Sequence, residues 1–155
     1  MLKRLLLAAA MPVLVCWGGA ALHAQDAPKS YVGNETCAQC HEAEYRRFTE
    51  YSKKHHSFQS IEKLQDGLTP QELQQCYGCH TTGFGQPGGF VDPVSTPTMK
   101  DLGCESCHGP GSLHVETEDP EHIQGDLTIQ DCRRCHNEER VRAFNFQPLI
   151  RSGAH

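Results

Sequence analysis

The sequence predicts a mainly α domain of short helices and long loops, wrapped around bound groups rather than around its own side chains. Three observations point there. A five-residue unit, Cys-x-x-Cys-His, occurs at residues 37–41, 76–80, 104–108 and 132–136. The chain has 155 residues, among them 14 glycines and 9 prolines, and beyond its first segment it is poor in aliphatic side chains. Where apolar periodicity is visible it is helical: Tyr45, Phe48 and Tyr51 recur with charged residues between them.

Each part of the unit has a chemical job. Two thiols spaced by two residues can add across the two vinyl groups of a porphyrin, and the next residue aims an imidazole at the iron. This is the attachment sequence of c-type haem. The cofactor expected is therefore four haem c groups, each with its iron. The anchors are Cys37 and Cys40, Cys76 and Cys79, Cys104 and Cys107, and Cys132 and Cys135; the proximal ligands are His41, His80, His108 and His136. Structural zinc and disulfides are the rival uses of paired cysteines. Neither requires a histidine after every second cysteine. With 10 histidines in 155 residues, four such placements by chance have odds on the order of 10⁻⁵.

The N-terminus reads as an export signal over residues 1–24. Lys3 and Arg4 precede an apolar run from Leu5 to Gly19, broken by Pro12, and Ala21-Leu22-His23-Ala24 offers small residues for cleavage before Gln25. Cys16, the ninth cysteine, lies inside it. Localisation is expected to be periplasmic or secreted, with membrane contact through a partner or through an uncleaved signal. Residues 25–36 read as a linker and 37–155 as one tetrahaem domain. The formal net charge of −5 argues against nucleic acid as a partner. It suits docking on a positively charged patch of a redox protein.

Along the chain, Asn34 or Thr36 can cap the first motif's turn, and a helix is expected from Glu42 to about Leu64. Tyr45 and Phe48 on it are expected to pack on haem. Thr69-Pro70 starts the helix leading into Cys76. The segment from Thr81 to Phe90 is rich in glycine, which suits either a close approach to a flat ligand or a plain loop. Gly109-Pro110-Gly111 ends the third motif, Ser112 can open a short helix, and Thr128 to Asp131 caps the turn of the fourth. Distal iron ligands are expected from His55, His56, His114, His122 and His155, with Met99 the one methionine left beyond the signal. That supply favours bis-histidine irons of low potential. His41 and His55 or His56 would share one helix, so they are expected on different haems.

At these residues the chain resembles the tetrahaem cytochrome c-554 family. The likeness is carried by YVGNETCAQCHEAEY, by KKHHSFQSIEKL, and above all by CYGCHTTGFGQPGGF followed by LGCESCHGPG. The resemblance implies His56, rather than His55, as the distal ligand of the third haem and His114 as that of the first. It further implies a second haem that can be five-coordinate, and His155 on the fourth. His122 would close the second haem or serve as a loop residue. The chain is shorter than the family's best-known member after the fourth motif, and its histidine after Gly-Pro-Gly sits closer.

Single-electron transfer between redox partners is the leading expectation, with an oxidoreductase as donor and a downstream cytochrome or quinone-linked acceptor. Reduction of a small molecule such as nitric oxide at an open second haem is one alternative. A subunit or module of a larger haem assembly is another. Because the porphyrins would supply most of the buried apolar surface, the haem-free chain is expected to melt without a cooperative transition when followed by circular dichroism.

Overall fold

The structure, a computed structural model, describes residues 28–137. The expected signal at 1–24 and the tail containing His155 lie outside these residues. Among the described residues the secondary structure is helical, with no strand, as the sequence predicts. No helix among them is long and apolar enough to cross a membrane.

The first motif starts in the last turn of α1 (Asn34–Ala38) and ends on His41, the N-cap of α2 (Glu42–Tyr51). The helix expected to run on to Leu64 stops at Ser52, whose backbone is extended. The reason is local. The Ser52 hydroxyl accepts the Lys54 N–H and opens a 3-10 turn, Lys53–His56, an alternative that serine offers wherever it competes with a helix. A short α3 (Gln59–Glu62) and a second 3-10 turn (Gln65–Gly67) follow. The shared-helix premise for His41 and His55 therefore fails, since the two stand on different elements.

The longest helix, α4 (Pro70–His80), begins as expected. Thr69 and Glu72 form a reciprocal capping box, proline takes the first turn, and the second motif is the helix's last turn. A 3-10 turn at Pro97–Met99 leads to α5 (Glu105–His108), which carries the third motif and ends on Gly109 at φ 80°. Then come α6 (Ser112–Thr117), a turn at Pro120–His122, and α7 (Ile129–Arg133), the start of the fourth motif.

Two capping expectations change partners. The N-cap of α1 is Gly33, and the side chain of Asn34 reaches across to accept the Cys104 N–H at 2.8 Å, while the Thr36 hydroxyl donates back to the Val32 carbonyl. Likewise Ser112 lies inside α6, after an N-cap at Gly111, and its hydroxyl accepts the Ser30 N–H. Of the expected linker, residues from Ser30 onward are thus tied into the body: Ser30 to α6, and Tyr31 through its N–H to the Pro87 carbonyl.

The apolar core is small and aromatic. Phe58, Ile61, Phe90 and Met99 are buried, with Tyr31, Leu73, Tyr77 and Phe84 packed around them. Met99 is core packing here. Tyr77, inside the second motif, has ring centroids 5.0 Å from Phe90 and 5.2 Å from Phe84 in edge-on contacts. The glycines of the loop make room for protein rather than leave a gap. A Cβ on Gly83 would meet the Tyr31 ring at 2.7 Å, one on Gly88 would strike the Tyr31 carbonyl, and both glycines have positive φ. Gly83→Ala is accordingly expected to lower stability by about 2 kcal/mol, read as a drop of several degrees in thermal midpoint.

Candidate functional site

The first and third motifs face each other across a cavity of about 730 Å³, within the roughly 300–1,000 Å³ range of cofactor sites. Cys37, Cys40 and His41 line one side, and Cys104, Cys107 and His108 another. His114 on α6 closes onto His41. Their ring centroids are 6.3 Å apart and their planes 25° from parallel. A metal ion between two imidazoles, at about 2 Å from each nitrogen and with each nitrogen about 1 Å from its ring centre, separates centroids by about 6 Å. Phe48, 8% exposed, lines the same cavity, where an apolar ring can pack on a porphyrin. Tyr45 is half-buried beside it in α2.

The imidazoles are aimed by main-chain carbonyls. Nδ1–H of His80 donates to Ser57 at 2.9 Å, that of His108 to Gln124 at 2.6 Å, and that of His114 to Asp119 at 2.9 Å. A carbonyl can only accept, so the proton sits on Nδ1 and the Nε2 lone pair is left for a metal. This is the usual way a ligand histidine is oriented. Ser57 is buried and is used twice more: its hydroxyl donates to the His80 carbonyl and accepts the Leu102 N–H. Nothing in the sequence marks Ser57 except its place just after two histidines.

The sulfurs fall into two neighbouring sets. Cys37 and Cys104 lie within hydrogen-bonding reach, which raises the first thiol, with burial adding to the effect, and draws the second down. Burial and then the neighbouring Cys79 push Cys135 up to about 12. The first motif is therefore beside the third and the second beside the fourth, and Cys107 of the third also lies close enough to Cys132 and Cys135 for their charges to interact. Arg134 links the two sets by donating to the Cys107 carbonyl. None of the eight motif cysteines is paired in a disulfide. Among the described residues no three His, Cys, Asp or Glu side chains converge as a zinc site requires.

The remaining candidates are placed as follows. His55 packs edge-on against Phe48 at 6.0 Å and against His56 at 5.1 Å, and its buried Nδ1 has no hydrogen-bond partner. His56 is exposed. Lys54, just before them, reaches into the cavity that His108 lines. His122 sits against α6, its Nδ1 bonded to the Thr117 hydroxyl at 2.7 Å. His136 is held below its ordinary value by burial and then by the charge of Lys54. His155 lies outside the described residues.

Residues 36–109 match the sequence model of a family described as cytochrome c554 and c-prime. A curated relative, cytochrome c-554 of Nitrosomonas europaea, is 35% identical over 98 residues, covering 57% of this chain and 41% of the relative. The chain thus spans about two-fifths of that relative's length. In fold, the structure is similar to the reduced state of cytochrome c554 from Nitrosomonas europaea, with a TM-score of 0.57 at 22% identity, over 80% of this chain and 83% of the other.

The fourth motif's turn is set by a capping box in which Asp131 accepts from both the N–H and the hydroxyl of Thr128. The side chain of Gln124 and these two donors hold the Asp131 carboxyl well below its ordinary value, to about 2. A depressed carboxyl contributes its stability above the unfolded value of about 3.9 and loses it as pH falls through the folded one. Order in α7, followed by amide NMR shifts, should therefore be intact above about pH 4 and decline between about pH 4 and 2. In Asp131→Asn that decline should be absent.

Proposed function

We propose, from the match of residues 36–109 to the cytochrome c554 and c-prime family model, that this chain is an exported carrier of single electrons built on four haem c groups. The observation that carries the reading is the pairing of His41 with His114 across the cavity that the first and third motifs line. Supplied there, the iron porphyrins accept and release one electron each.

The chain's own residues do the rest. Cys37 and Cys40, Cys76 and Cys79, Cys104 and Cys107, and Cys132 and Cys135 anchor the four groups. His41, His80, His108 and His136 are the proximal ligands. His114 takes the far side of the first iron. The spacing of the two rings supports this, as does the Asp119 carbonyl that turns Nε2 of His114 toward the cavity. His56 is assigned to the third by resemblance. His155 is assigned to the fourth by resemblance. The nearness of Cys37 to Cys104, and of Cys79 to Cys135, supports two haem pairs, first with third and second with fourth. Partners are redox proteins that dock at the surface, and the site of action is the periplasm, after removal of residues 1–24.

Intact mass of the secreted protein should show four porphyrin increments, and its reduced spectrum should carry sharp visible bands. A product without porphyrin would end this reading. His114→Ala should keep all four increments. In the electron paramagnetic resonance spectrum of the oxidised protein it should convert one low-spin bis-histidine signal to high spin. A spectrum unchanged from that of the parent would remove His114 from the ligand set.

A further inference from the structure

Glu105 occupies one of the two spacer positions of the third motif, between Cys104 and Cys107, and is 1% exposed. Its carboxylate accepts four main-chain contacts. The Val32 N–H is shared between both oxygens at 3.0 Å, the Gly33 N–H reaches Oε2 at 2.8 Å, and the Gly111 N–H reaches Oε1 at 2.7 Å. Among the described residues no lysine, arginine or histidine forms an ion pair with it. The N–H dipoles offset the cost of burial, but they leave a whole negative charge inside the protein, where salt does not screen it.

That charge lies beside both cysteine sets of the cavity. Glu105 is covalently next to Cys104, whose sulfur adjoins that of Cys37; its charge adds to the rise that the Cys104 contact and burial give the Cys37 thiol and that burial gives the Tyr31 hydroxyl. Cations stand nearby as well: the charges of Lys54 and Arg134 reach Cys107 of the third motif and Cys132 of the fourth, and that of Arg134 reaches Cys135, whereas the charge of Glu105 acts on Cys37 and Cys104. Adding an electron to an iron beside a fixed anion is disfavoured, and beside a cation it is favoured.

We propose that Glu105 is a positioning and potential-setting residue: its buried carboxylate lowers the reduction potentials of the haems of the first and third motifs. The inference rests on the electron-carrier reading and adds to it a residue that sets the potentials of one haem pair.

The test is a potentiometric titration, followed by visible absorption, of the whole haem-loaded protein and of Glu105→Gln, which keeps the shape and removes the charge. In the variant, two of the four haems should show a reduced-to-oxidised ratio at fixed potential that rises roughly tenfold, the size expected for one charge about 10 Å away at an effective dielectric constant of about 20. The other two should hold. Glu105→Asp should stay near the parent. A fully loaded Glu105→Gln with all four midpoints unmoved overturns the proposal, while four porphyrins by mass would leave the carrier reading standing. If Glu105→Gln fails to take up haem, the reduced-minus-oxidised infrared spectrum of the unaltered protein decides. A carboxylate band, insensitive to added salt, should shift as that haem pair is reduced, and its absence overturns the proposal.

Discussion

The fold depends on hydrogen bonds from buried side chains to main-chain groups far away in sequence. Helical pieces as short as four residues cannot hold one another by interlocking faces, because each offers barely one turn of contact. Instead Glu105 gathers Val32, Gly33 and Gly111. Asn34 takes the first N–H of the third motif. Asp101 takes that of Phe58, and Ser57 joins the second motif to Leu102. Each is a polar group that would be costly to bury unpaired, so each enforces one arrangement of loops.

The same bonds explain why the histidines are aimed although the core is small. A carbonyl at Ser57, Gln124 or Asp119 fixes the ring of a histidine that belongs to another segment. The aromatic cluster of Phe58, Tyr77, Phe84 and Phe90 supports the second motif, whereas the first and third border a cavity. On the carrier reading, the apolar surface missing from that side is what the porphyrins provide.

Much of this was legible in residue order, and what was not has a physical pattern. Signals acting within one turn of chain could be read directly: the cap and proline at Thr69 and Pro70, the Thr128–Asp131 box, the stop at Gly109. Ser52 defeated the periodicity of α2 because a hydroxyl can satisfy the next N–H groups as well as a helix can. The glycine-rich loop left close approach and plain loop equally open; at Gly83 and Gly88 the approach is real and its object is Tyr31, dozens of residues upstream. Asn34 and Glu105 look like ordinary helix-start residues, and their partners are set by the tertiary fold. Each Cys-x-x-Cys-His unit is local in sequence, whereas the nearness of one unit to another and the stacking of His114 on His41 are long-range.

The clamp at Glu105 also has a temporal side. Its donors at Val32 and Gly33 leave the ribosome more than seventy residues before the carboxylate they bind. Until then those two N–H groups lack their acceptor, although Tyr31 just before them can already meet Gly83 and Gly88. On the carrier reading, late closure leaves the Cys37 and Cys40 attachment point accessible while the chain is still folding. A variant that trapped Tyr31 in its glycine cradle prematurely would shorten that interval for maturation.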